Sequence, residues 1–127
     1  MSETPLILCA DDDPDILALL ALRLEGAGFR VVQAADGEQA LALARDVHPS
    51  VAVLDVMMPR LTGTEVLGAL RADPATRDLR VILVSARAQQ SDVESGLAAG
   101  ADAYLAKPFQ ASELIELVRS LVTSSAP

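Results

Sequence analysis

The chain has 127 residues, 51% of them hydrophobic, and eighteen acidic against ten basic side chains leave a formal charge of −8. That length suits one ordinary domain, and the Val, Ile, Leu and Ala content is enough for a core, which excludes disorder along the whole chain. The acidic balance and the presence of only three aromatics, Phe29, Tyr104 and Phe109, argue against direct binding of nucleic acid or anionic lipid.

Short apolar runs alternate with longer segments of helical character. The first run, Leu6 to Ala10, reads as a strand, and Asp13 before Pro14 as the N-cap of a helix carrying Ile16, Leu17, Leu20 and Leu24 and closed by Gly26 and Gly28. Val31 to Ala34 follows as a second strand, and Asp36 with Gln39 resembles a capping box for a helix that ends at His48-Pro49. Val51 to Leu54 is a third strand, followed by a helix from about Thr64 to Arg71 with Val66, Leu67 and Leu70 on one face. The fourth strand is Val81 to Val84, and Ser91 with Glu94 marks the next helix start; the fifth is Ala103 to Leu105, with Ser112 capping a segment that carries Leu114, Ile115, Val118 and Leu121. Five βα units predict a doubly wound parallel α/β sandwich over residues 1–122, with 123–127 as a flexible tail or the start of a linker. The longest apolar stretch, Ile16 to Leu22, is far below the roughly 20 residues of a membrane helix. With no signal-peptide pattern and a single Cys9, read as a small buried hydrophobe, the chain is expected to be cytoplasmic.

In such a sheet, ligands bind beyond the carboxyl ends of the strands, where strand order reverses. There the sequence places Asp11, Asp12 and Asp13 after strand one, Asp55 at the end of strand three, Ser85 after strand four and Lys107-Pro108 after strand five. If strands one and three are neighbours, their carboxylates converge and repel one another unless a cation joins them. Oxygen ligands without His or Cys favour Mg²⁺, or Mn²⁺, over zinc. One carboxylate in such a shell is positioned as a nucleophile on phosphorus, with Lys107 offsetting charge and Ser85 donating a hydrogen bond.

Together these residues resemble a response-regulator receiver domain of two-component signalling. The resemblance runs from Leu6-Ile7-Leu8-Cys9-Ala10-Asp11-Asp12-Asp13 through Leu54-Asp55-Val56-Met57-Met58-Pro59, Ser85-Ala86 and Ala99-Gly100-Ala101-Asp102 to Lys107-Pro108-Phe109. It implies a flavodoxin-like (βα)5 fold with strand order 2-1-3-4-5 and a cis Lys107-Pro108 bond. It also implies that Asp55 is the phospho-acceptor, and that Asp12, Asp55 and the Met57 carbonyl ligate Mg²⁺ directly, with Asp11 acting through water. By the same resemblance Ser85 and Tyr104 are switch residues and Lys107 is the family's lysine. Met57 and Arg87 stand where hydrolysis is tuned, and because Met57 cannot orient water a long-lived phosphoaspartate is expected. The family's pattern departs here at Thr62, where an Asp is frequent, and at Cys9-Ala10, where an aliphatic pair is usual.

The implied partners are a sensor histidine kinase or a histidine phosphotransfer protein, which donates the phosphoryl group, and a downstream effector or output domain. Neither nucleic acid nor a membrane is expected to bind directly, and the chain would be a monomer or a phosphorylation-dependent dimer. It would be a signalling protein, catalysing only its own phosphorylation and dephosphorylation. Two rivals compete with this reading: a haloacid-dehalogenase-like phosphatase using Asp11 and Asp13, although Asp15 stands where Thr or Val is expected, and a phosphorylation-independent interaction module of the same fold. For individual residues plainer roles are expected: capping for Asp13, capping or solvation for His48, and local packing for Met57 and Met58.

Overall fold

The computed structural model describes residues 4–124. Its elements alternate strictly: β1 (Leu6–Ala10), α1 (Pro14–Gly26), β2 (Arg30–Ala34), α2 (Gly37–Val47), β3 (Val51–Asp55), α3 (Gly63–Ala72), β4 (Arg80–Ser85), α4 (Gln90–Ala98), β5 (Ala103–Ala106) and α5 (Ala111–Ser124). All strand pairs are parallel and their order is β2-β1-β3-β4-β5, as expected. The order reverses between β1 and β3, which places the ends of these two strands side by side, with Ala10 opposite Leu54.

The sheet separates two cores, because alternate residues of a strand point to opposite faces. Leu8, Ala52, Leu54, Val81 and Leu83 pack with Ala40, Ala44, Val66, Leu67 and Leu70 from α2 and α3. On the other face Ile7, Cys9, Val53, Ile82 and Val84 meet Leu17, Leu20 and Leu24 of α1 and Leu114 and Val118 of α5. The central strand β3 is buried along its whole length, which explains its continuous apolar run.

Most helix ends follow the sequence. Asp13 caps α1, its Oδ1 accepting the N–H groups of Asp15 at 2.9 Å and Ile16 at 3.4 Å. His48 closes α2 in the left-handed region with φ 47°. Asp36 accepts the Gln39 N–H as the capping reading requires, but the Gln39 side chain accepts from Ala35. Two expected starts are corrected. Helix α4 begins at Gln90, where Asp92 accepts the Gln89 N–H at 3.2 Å, so Ser91 and Glu94 lie inside the helix. Helix α5 begins at Ala111, with Glu113 accepting the Gln110 N–H at 3.1 Å, so Ser112 is not its cap. In both cases an acid three residues on satisfies the N–H of a residue two positions before the expected Ser. Helix α5 also takes in Thr123 and Ser124; the rest of the expected tail, 125–127, lies outside the described residues. Among the described residues no helix is long and apolar enough to cross a membrane.

Candidate functional site

Asp11 follows the last residue of β1, and Asp55 is the last residue of β3, so the strand-order reversal sets their carboxyl groups together. Both are nearly buried, at 3% and 6% exposure. Asp11 Oδ1 accepts the Asp13 N–H at 2.9 Å and Asp55 Oδ1 accepts the Met57 N–H at 3.2 Å, which fixes each carboxylate by a bond to its own loop. Their remaining oxygens share one partner. Lys107 Nζ donates to Asp11 Oδ2 at 2.9 Å and to Asp55 Oδ2 at 3.2 Å.

Asp12 is exposed beside this pair, and one oxygen from each of Asp11, Asp12 and Asp55 lies within 4.8 Å of the others. Three carboxylates against one ammonium leave two net negative charges in a small volume. Burial foremost, then the charge of Asp11, raises the Asp55 pKa, while Lys107 pulls it down. Burial lowers the Lys107 pKa, but its hydrogen bonds and ion pairs with Asp11 and Asp55 outweigh that, and the net shift is upward. The lysine is therefore charged at neutral pH. A hard divalent cation fits the remaining deficit, since every donor is oxygen.

The surrounding backbone holds this geometry. The β3–α3 loop folds tightly over Asp55, with the Gly63 N–H on the Val56 carbonyl at 3.0 Å. A Cβ on Gly63 would meet the Asp55 carbonyl oxygen at 2.5 Å, so only glycine permits that approach. Thr62 and Glu65 form a full capping box at the start of α3, a signal present in the sequence and not used there. Lys107 is placed by its own N–H, which bonds the Ser85 carbonyl at 2.9 Å, and the Lys107-Pro108 bond is cis.

Ser85, fully buried, ends β4, and its Oγ accepts the Arg87 N–H at 2.9 Å. Tyr104, on β5, is half-buried, and its hydroxyl donates to the Arg87 carbonyl at 2.5 Å. The sequence singled out both side chains but not the Arg87 main chain between them, which carries no residue-type signal. Met57 is 54% exposed, with its N–H held by Asp55. Met58 is buried in the core, as expected of a packing residue. Burial pushes the Cys9 thiol up to about 12, in keeping with an inert core residue.

Asp13 does not join the cluster, because its carboxylate caps α1. A D-x-D pair of Asp11 and Asp13 is therefore not formed, and the phosphatase reading is not favoured. Beside Lys107, an apolar cleft of about 370 Å³ opens between α1 and the β5–α5 loop, lined by Ile16, Leu19, Leu20, Pro108 and Phe109.

Comparison with known proteins agrees with this geometry. Residues 7–119 match the family model described as a response regulator receiver domain. The DNA-binding dual master transcriptional regulator RpaA of Synechocystis sp. is 42% identical over 118 residues, covering 93% of this chain and 49% of that protein. The chain thus spans about half the length of the curated relatives it matches. The expectation that nucleic acid is not a partner gains no support here, because such relatives are named as DNA-binding regulators. The receiver domain of the Francisella response regulator 1452 superposes with a TM-score of 0.93 at 36% identity, covering 97% of this chain and 100% of that one. The receiver domain of the sensor histidine kinase PA1611 from Pseudomonas aeruginosa PAO1, solved with magnesium coordinated in its active-site cleft, superposes at 0.87 and 31% identity, covering 95% and 99%. Acid cluster, lysine, strand order and matched sequence converge on one conclusion: this chain belongs to the response-regulator receiver domain family of two-component signalling.

Proposed function

We propose that Asp55 is the phospho-acceptor, taking a phosphoryl group from a phosphohistidine of a sensor histidine kinase or a histidine phosphotransfer protein. The observation that carries this reading is the Lys107 ammonium bridging Asp11 and Asp55 beside the exposed Asp12. Asp12, Asp55 and the Met57 carbonyl would hold Mg²⁺, with Asp11 acting through water and Mn²⁺ as a substitute. Bound there, the ion would supply positive charge to the phosphoryl oxygens.

An Asp55 carboxylate oxygen attacks phosphorus as the P–N bond to the donor imidazole breaks, and the electron pair leaves with the imidazole. Lys107 exchanges its bond to Asp55 for one to a phosphoryl oxygen, and Ser85 donates its hydroxyl hydrogen to another. These groups belong to the receiver itself, so acetyl phosphate serves as a slow donor; the catalysis extends only to the chain's own phosphorylation and dephosphorylation. With Met57 apolar beside Asp55, no side chain at that position orients a hydrolytic water, and the phosphoaspartate is long-lived. The apolar cleft at Leu19 and Phe109 offers the donor a landing surface beside Lys107.

Phosphorylation then shifts the surface formed by α4, β5 and α5 toward a conformer read by a downstream effector or output domain, as a monomer or a phosphorylation-dependent dimer. We place this exchange in the cytoplasm, where the free thiol of Cys9 stays reduced. The test is Mg²⁺-dependent, acid-labile labelling by acetyl phosphate. Asp55→Asn is expected to abolish it; label retained in that variant would move the acceptor elsewhere.

A further inference from the structure

Tyr104 is held by contacts outside the acid cluster. Its hydroxyl donates to the Arg87 carbonyl at 2.5 Å, and the Arg87 N–H donates to Ser85 Oγ at 2.9 Å. One residue of the β4–α4 loop is thus tied to both side chains. Because Ser85 Oγ accepts from Arg87, its own hydrogen is left to donate toward a phosphoryl oxygen.

The Tyr104 ring rests on α4 at Gly96. A Cβ built on Gly96 would lie 2.8 Å from Tyr104 Cδ2, 3.1 Å from Tyr104 Cε2 and 3.1 Å from Leu83 Cδ1. Gly96 is buried within the helix and has no positive φ, so backbone conformation does not require glycine there. Helix propensity favours alanine at such a position. What glycine supplies is the space the ring occupies.

We propose that Gly96 is a positioning residue for the phosphorylation response. Its missing side chain seats the Tyr104 ring, lets the hydroxyl reach Arg87, and so holds the loop that presents Ser85. The inference rests on the acceptor role proposed for Asp55. By linkage, making the docked ring costly must weaken any ligand that favours the docked loop, while leaving ligands indifferent to it unchanged.

The phosphoryl mimic beryllofluoride, added with Mg²⁺ and followed by fluorine NMR, measures this directly. Gly96→Ala is expected to bind it more weakly, by at least about fivefold, with Mg²⁺ affinity unchanged. Tyr104 is the only tyrosine and there is no tryptophan, so tyrosine emission reports this ring alone, and Gly96→Ala should expose it to a neutral quencher. In a Tyr104→Ala background, adding Gly96→Ala should alter beryllofluoride affinity by less than about twofold, since the ring, the closest obstacle to the new methyl group, is gone.

Equal affinity in wild type and Gly96→Ala overturns the inference, as does the same loss in the Tyr104→Ala background. Should Gly96→Ala fail to fold, the double variant decides: recovered folding locates the clash at Tyr104, and an unfolded double variant refutes it. Wild-type protein that takes up no beryllofluoride would overturn the Asp55 reading and this inference with it. Uptake that Gly96→Ala leaves unchanged overturns this inference alone.

Discussion

Lys107 is the only lysine in the chain, and it joins two carboxylates that would otherwise repel each other. Lys107→Ala should leave Mg²⁺ binding measurable, because the acid cluster stays, yet lose the conformational response to beryllofluoride; an undiminished Tyr104 emission change would remove Lys107 from the mechanism. The acid cluster also sets a pH dependence. Burial and Asp11 raise the Asp55 pKa, so on acidification its proton competes with Mg²⁺ at a higher pH than an ordinary carboxylate would allow. Apparent Mg²⁺ affinity, titrated by calorimetry from neutral to acidic pH, should fall as pH falls, with the onset above the usual carboxylate range. Asp11, Asp12, Asp55, Ser85 and Lys107 were all legible from residue type and order. Asp13 was separable from them in the sequence only because Pro14 behind it marks a helix start.

Among elements, α1 has two faces with different duties. Leu17, Leu20 and Leu24 face the core, whereas Leu19 and Leu22 are 52% and 67% exposed, and Leu19 borders the cleft beside Lys107. Leu19→Asp should therefore reduce phosphotransfer from a phosphohistidine donor while labelling by acetyl phosphate persists, since a small donor needs no docking surface. Equal loss with both donors would mean that the variant damages the site itself. Helix boundaries show where reading from sequence fails. Ser91 with Glu94 and Ser112 look like caps, yet α4 and α5 start earlier, on Gln89 with Asp92 and on Gln110 with Glu113. Capping patterns are short and recur by chance, so where the preceding loop leaves the sheet decides among them. Thr62 with Glu65 is the converse case, a genuine box hidden by the apparent start at Thr64.

At the scale of the whole molecule, the site joins the ends of β1 and β3 and the loop before α5 into one charged knot. A ligand that binds only the assembled cluster must stabilise the entire fold. At free Mg²⁺ one hundred times its dissociation constant, unfolding should cost about 2.7 kcal/mol more than without the ion. Thermal unfolding with and without a chelator measures this, and Asp12→Ala should lose most of the gain; a midpoint insensitive to Mg²⁺ would contradict the metal site.

By itself the sequence determined the alternation of strands and helices, the burial of the central strands, and which side chains are candidates for the site. Those properties are written in local periodicity and residue type, because a buried parallel strand needs a continuous apolar run and a metal-binding cleft needs oxygen donors. Only the tertiary structure decided that Lys107 reaches both Asp11, 96 residues away, and Asp55, 52 residues away. It likewise decided that Gly96 makes room for Tyr104. Such convergence depends on strand order and on how closely two backbones approach, and neither is a property of any one segment of the chain.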